Sequence, residues 1–184
     1  DTDRSRGLGD VYKRQDLYDL IINNPAEFND YREVMGELDL SEMDFSGTNL
    51  AEIDFTNCDL SGSSFSEAHL TECKFQNCDL TSCDFTRSNL VECDFSESLL
   101  NGTDYSYAAV SYCNFTDADM AGAILIESDL SGSDFSASDN LNATRFDEST
   151  VFPDSDLLPD EFDTSSTRDL SSLEDDDEAN ISDY

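Results

Sequence analysis

Three sets of side chains in this sequence could do chemistry: six cysteines, a single histidine and 43 carboxylates. The cysteines are Cys58, Cys73, Cys78, Cys83, Cys93 and Cys113. By count they fit either a disulfide framework or buried thiols. No Cys-x-x-Cys pair occurs, and structural zinc sites are usually built on such pairs. His69 has no nucleophile-and-acid set around it, and neither a phosphate loop nor a dinucleotide fingerprint appears. No catalytic, cofactor-binding or metal-ligating residue is therefore expected, and the chain does not read as an enzyme.

The carboxylates carry more information. Against nine Lys+Arg they leave a formal net charge of −34 and a pI near 4.1. That sign excludes direct binding to nucleic-acid phosphates and to anionic membrane surfaces. The longest apolar run, Ala121 to Ile126, is far short of the roughly 20 residues a membrane helix needs. No apolar signal region follows the basic residues near the start, so a cytoplasmic location is the expectation.

The elements that must position these groups follow from a repeat. Every fifth residue from Leu40 to Phe135 is apolar, 20 positions in succession. Leu and Phe alternate at these centres, with Phe45, Phe55, Phe65, Phe75, Phe85, Phe95, Phe115 and Phe135 forming the aromatic set. A period of five is neither the two of a plain strand nor the 3.6 of a helix. Two residues before each centre the side chain is nearly always small, as in Cys58, Ser63, Ala68, Cys73, Cys78 and Cys83. Residues two apart on an extended segment share a face, so each unit points one large and one small side chain inward. The residue between them faces out and is Asp or Asn in 14 of the 20 units. Ser or Thr and then Gly, Glu or Asn follow the centre, which is turn chemistry.

Each unit is thus one side and one corner of a coil. A three-sided coil would stack Leu over Phe, whereas a four-sided coil of 20 residues stacks like on like. Cys73, Cys93 and Cys113 also recur at 20, as do the acidic ladders Glu52, Glu72, Glu92 and Asp39, Asp59, Asp79. Four sides is the better reading. All six cysteines take the small inward position, where Ser and Ala substitute for them, and they read as buried thiols.

The pattern Asp/Asn–Leu/Phe–Ser/Thr–x–small, seen in CDLTSCDFTRSNLVECDF, resembles the pentapeptide-repeat proteins. The resemblance covers residues 38 to about 151 and implies an all-β fold, a right-handed quadrilateral β-helix. Residues 38–152 are assigned to this solenoid. Asp16 to Glu37 reads as a short N-terminal α-helical cap, with Asn24 and Pro25 as N-cap and first turn. Its Phe28, Tyr31 and Arg32 resemble the aromatic-Asn-x-aromatic-Arg helix that precedes the repeats in some family members. Residues 1–15 read as a non-native or disordered leader, because Ser5 to Gln15 looks like a translated adapter scar.

After Phe135 the spacing slips by one, and Leu141, Phe146 and Val151 are the next expected centres. Residues 153–184 read as an acidic, mostly disordered tail in which Leu157, Leu158 and Phe162 dock first as a lid.

The function implied is a rigid scaffold for a protein partner. An alternative comes from the charge. From Asp39 to Phe135 there are 19 acids against Lys74 and Arg87, a net of −17. Coils rising about 4.8 Å make that stretch a rod of roughly 23 Å, or ~0.7 charge per Å. Duplex DNA carries ~0.6 per Å. Some members of the resembled family, the quinolone-resistance type, mimic DNA and bind type II topoisomerases. A lysine-poor, acid-rich composition shared by coil and tail also fits adaptation to high salt. Tyr107, Ile124 and Ile126 break the polar rule at outward positions on the same side of successive coils, with Leu99 and Tyr112 on neighbouring sides, and together they form a candidate interaction patch. That patch, near the less well sealed end, fits a homodimer that forms only when salt screens the acids.

The charge ladders generate the first prediction. Like charges one coil apart repel, and the repulsion is screened to about 3 Å at 1 M ionic strength. The melting temperature should rise between dilute and molar KCl. A flat or falling curve counts against salt adaptation.

Overall fold

The structure, a computed structural model, describes residues 13–165. Its framework is a ladder of parallel backbone pairs. Phe55 N–H donates to Lys74 O at 2.8 Å and Phe75 N–H to Asp94 O at 2.7 Å, while Lys74 and Asp94 N–H reach back to Ile53 O and Cys73 O at 2.9 and 3.0 Å. Every bridge as far as Asp119–Asp139 joins residues 20 apart. Four columns of bridges therefore run along the rod, one for each side of the coil. The regular strands are short. β1 (Leu38–Asp39) pairs with β3 (Cys58–Asp59), and β2 (Asn49–Ala51), β4 (His69–Thr71), β5 (Asn89–Val91) and β6 (Ala109–Ser111) form a four-stranded parallel sheet.

The corners explain the outward Asp and Asn. In each unit from Leu40 to Leu130 the residue two after the centre takes a positive φ, and 14 of these residues are not glycine, with φ from 52° to 61°. Such a φ at the third residue is what a type II turn demands. It is unfavourable for an L side chain by roughly 1–2 kcal/mol, so the corner must be held from outside. The outward carboxylate does part of this. Asp54 Oδ1 accepts from Thr56 N–H at 3.0 Å, Asp79 from Thr81 at 2.9 Å and Asp94 from Ser96 at 3.0 Å. The next coil does the rest, as Glu52 N–H donates to Thr71 O and Glu72 N–H to Val91 O, both at 2.9 Å.

Inside, the small position also has a defined bond. Ser63 Oγ donates to Leu40 O at 3.0 Å, Cys83 Sγ to Leu60 O at 3.0 Å and Thr103 Oγ1 to Leu80 O at 2.9 Å. A small donor fits these sites, so Ser, Cys and Thr follow one another there, and Ala68, Ala108, Ala118 and Ala123 fill the same position by size alone. The large side chains stack in columns. Phe45, Phe65, Phe85 and Tyr105 lie 4.8–5.1 Å apart by ring centroid. Phe55, Phe75, Phe95, Phe115 and Phe135 lie 4.4–5.1 Å apart, and the two columns meet edge to face at 5.7–6.3 Å. All of these rings are buried. Offset stacking within a column and edge-to-face contact between columns are the two arrangements a ring quadrupole favours.

The segment before the repeats forms two helices, the second of them starting at Asn24 and Pro25 as expected. α1 (Arg14–Asn23) begins two residues ahead of the expected boundary, and α2 (Pro25–Val34) follows at once. Asn24 separates them with φ −146° and ψ 67°. A residue before proline is pushed out of the helical region, and Pro25 has no N–H to continue α1. The helices extend the core columns. Tyr18 stacks on Phe45 at 5.4 Å, and Phe28 meets Phe55 at 5.9 Å. Asn29 joins the ladder itself, donating to Glu52 O at 2.8 Å and accepting from Asp54 N–H at 2.9 Å. The buried Arg32 guanidinium donates to Met35 O, Gly36 O and Thr56 O.

At the other end the register slips twice. Asn140 takes the left-handed corner (φ 55°), and Ile124 pairs with Arg145, 21 residues on. Leu141 and Phe146 are buried as centres. Val151 is not. It is 48% exposed in the outward position, pairing with Asp129, and Phe152 turns toward the core instead. The reason is a wider corner. The Asp147 carboxylate accepts from Glu127 N–H, Ser149 N–H and Thr150 Oγ1, and Thr150 Oγ1 reaches Leu125 O at 2.8 Å as the small inward side chain. Phe146, Phe152 and Phe162 then cluster at 5.0–5.7 Å, with Leu158 buried beside the core. Residues 1–12 and 166–184, which hold most of the expected leader and much of the expected tail, lie outside the described residues.

Two substitutions test this packing. Phe75→Ala leaves a gap between Phe55 and Phe95 and should cost ~3–5 kcal/mol. Tyr105 carries a buried hydroxyl with no hydrogen-bond partner among the described residues. Tyr105→Phe should therefore raise stability by about 1 kcal/mol, since an unsatisfied buried donor is costly. Denaturant midpoints check both. A midpoint lowered by Tyr105→Phe would mean that the hydroxyl is paired.

Candidate functional site

The candidate site is the outer surface, because the inner one is filled. Four outward columns define it. The first side carries Asp39, Asp59, Asp79, Leu99, Asp119 and Asp139, and the second Asp44, Ser64, Asp84, Asp104, Ile124 and Arg145. The third carries Asn49, His69, Asn89, Ala109, Asp129 and Val151, and the fourth Asp54, Lys74, Asp94, Asn114 and Asp134. The expected ladder Asp39, Asp59, Asp79 thus lies in register along one side. Glu52, Glu72 and Glu92 stand exposed at the corner between the third and fourth sides, all at positive φ.

These carboxylates are structural as well as electrostatic. Hydrogen bonds from the Ser41 hydroxyl and then its backbone N–H hold Asp39 below the usual carboxylate range. Ser46 does the same for Asp44, and the Asn101 and Asn140 amides for Asp119. Cations are scarce. Lys74 Nζ meets Asp54 one coil away at 3.7 Å, and Arg87 lies over the Tyr107 ring at 5.2 Å.

The outward apolar residues do not form a single patch. Leu99 is 47% exposed on the first side, between Asp79 and Asp119. Ile124 and Ile126 are half-buried on the second side. Tyr107 and Tyr112, 50% and 71% exposed, stand at the two corners that bound the third side. Tyr112 lies against Gly132, where an added Cβ would come within 2.7 Å of the ring. Tyr107 N–H donates to Ile126 O at 2.9 Å, so Tyr107 adjoins Ile124 and Ile126 on the next coil as well as bordering the third side with Tyr112. His69 is exposed within the sheet between Asn49 and Asn89. What the residue types alone did not flag is the third side as a unit. The signal was an absence, the loss of Asp every 20 residues from Asn49 to Ala109.

The cysteines stack inside. Cys73, Cys93 and Cys113 form one inward column, Cys58 and Cys78 another, and all six are buried and free. Burial pushes the Cys58 and Cys83 thiols up to about 12, and contact with Cys113 helps to do the same for Cys93. Among the described residues no group of three or more His, Cys, Asp and Glu is arranged to hold a metal ion, and no helix is long and apolar enough to cross a membrane.

Against known proteins, a family profile for the pentapeptide repeat region matches residues 24–82. A second, for pentapeptide repeats in eight copies, matches 63–102 and 106–150. A pentapeptide repeat protein from the cyanobacterium Cyanothece 51142 is 20% identical and superposes with a TM-score of 0.59, over 62% of this chain and 90% of that one. A second, from Nostoc Pcc 7120, is 29% identical with a TM-score of 0.47, over 54% and 77% of the two chains. QnrB1, a plasmid-mediated fluoroquinolone resistance protein, is 15% identical with a TM-score of 0.41, over 61% and 90%. No curated protein sequence matches the chain.

The thiol environment is open to a direct check. A thiol pushed up to about 12 is almost wholly protonated at pH 8. The cysteines should resist a thiol reagent in the native protein and react together once it is unfolded. Reaction of one or two at native rates would show an open coil.

Proposed function

Because this chain belongs to the pentapeptide-repeat family, we propose that it works without catalysis, as a rigid scaffold that binds a protein partner. The observation that carries this reading is the continuous stack of rings from Tyr18 and Phe28 to Phe135. A rod filled along its whole length has no interior cleft to exclude water from a reaction. It does hold its outward residues at fixed heights, about 4.8 Å per coil, which suits recognition of an extended partner surface. Repeat solenoids in general present such surfaces.

A second reading rests on the acidic columns of the first, second and fourth sides. Their charge density approaches that of duplex DNA, which fits a mimic that inhibits or protects a type II topoisomerase. Supercoiling by purified gyrase, titrated with the full chain at low and at physiological salt, separates the two. Stoichiometric inhibition or protection that weakens with salt establishes the mimic. Unchanged supercoiling at large excess removes it and leaves the scaffold. Turnover of a general esterase, phosphatase or peptidase substrate that copurifies with the chain would overturn both.

A further inference from the structure

The third side differs in kind from the other three. Its outward column runs Asn49, His69, Asn89, Ala109. The parallel outward row after the inward centres runs Ala51, Thr71, Val91, Ser111. No carboxylate enters either row over four coils, on a chain of net charge −34. It is also where the backbone makes its longest regular sheet, β2–β4–β5–β6. Parallel sheets elsewhere carry helices on both faces. Here the inner face is core and the outer face is bare.

The borders of this side complete the picture. One edge is the exposed row Glu52, Glu72, Glu92, ended by Tyr112. The other edge runs Gly47, Glu67, Arg87 and Tyr107, with Glu67 its exposed carboxylate over these coils. Gly132 lies against the Tyr112 ring and Arg87 over the Tyr107 ring, so each aromatic has a neighbour one coil away. An uncharged centre, aromatic anchors and a charged rim are the anatomy of a protein interface. Burying the first, second or fourth side would instead desolvate stacked aspartates, which is costly.

Resting on the scaffold reading, we propose that the third side docks a cationic amphipathic helix of a partner protein. The helix lies along the rod, its small residues against Ala51, Thr71, Val91 and Ser111, and its Lys/Arg row on Glu52, Glu72 and Glu92. The dimensions agree. The glutamate row steps about 4.8 Å per coil, and residues three or four apart on a helix step about 4.5–6 Å along its axis. A second copy of the chain is the weaker occupant, because it would bring another −34 and its own glutamate rows to the same strip.

The test uses the isotope-labelled full chain and, as probe, a synthetic alanine-based helix of roughly 18 residues with lysines along one face. Amide shifts should move on the third side, around Asn49, His69, Asn89 and Ala109. The triple change Glu52→Gln, Glu72→Gln, Glu92→Gln should weaken binding about tenfold at ~0.1 M salt. Tyr112→Ala should weaken it as well. The control Asp39→Asn, Asp59→Asn, Asp79→Asn removes as many charges while keeping each side-chain acceptor, and should change affinity less than about twofold. Shifts on all four sides, or equal loss in both triple variants, would overturn the inference in favour of unspecific attraction. Absence of binding would overturn it too, as would a dimer whose own interface gives those shifts. None of these outcomes touches the scaffold reading, which fails by the turnover assays above.

Discussion

Everything in this protein depends on one constraint: each residue must sit directly above the residue 20 places earlier, in a parallel, in-register ladder. Bonds such as Phe75 N–H to Asp94 O and Asp94 N–H to Cys73 O impose that register on every side. Once it is imposed, like stacks on like. Phenylalanines become two columns, leucines two more, and small residues line the gaps. The corners can then adopt a left-handed φ at glutamate and asparagine, because bonds above and below over-determine them.

A ladder of this kind has two ends, and the chain treats them differently. At the start, α1 and α2 supply aromatic rings, Tyr18 and Phe28, that continue the two phenylalanine columns. Asn29 occupies a place in the ladder by offering one donor and one acceptor to the first coil. At the far end no α-helix is recruited among the described residues, only the 3-10 turns Leu141–Ala143 and Ser155–Leu157. The coil instead loosens by two residues, through Asn140 and the Asp147 corner, and covers itself with Phe152, Leu158 and Phe162. A solenoid needs such ends because its terminal coils otherwise expose core.

The same register that orders the core concentrates charge outside. Aspartates that serve as turn acceptors are stacked one coil apart, so a local role in the corner becomes a column of negative potential. Hydrogen bonds from Ser41, Ser46 and Asn101 favour the charged forms of Asp39, Asp44 and Asp119 and offset part of that repulsion. The third side escapes this because Asn49, His69, Asn89 and Ala109 fill its outward column and its residues pair as regular strands, so the surface there becomes one a partner can approach.

The coil, its four sides and its core were readable from the order of residues, because a strict period of five is a property of the chain and stacking turns it into structure without further choice. Leu40 to Phe135, the inward cysteines and the outward aspartates all followed. Three features needed the tertiary structure. Val151 looked like another centre, but the Asp147 corner takes an extra residue, and a turn's width depends on side-chain bonds that spacing does not record. Asn24 and Pro25 were legible as a helix start, but that residues 14–23 form a helix of their own ahead of it, with Tyr18 and Phe28 on separate columns, was decided by packing. The register alone placed Tyr107, Ile124 and Ile126 on one side with Leu99 and Tyr112 on neighbouring sides, but only the structure decided how far each stands out, with both tyrosines exposed and both isoleucines half-buried, because exposure depends on what packs above and below each side chain.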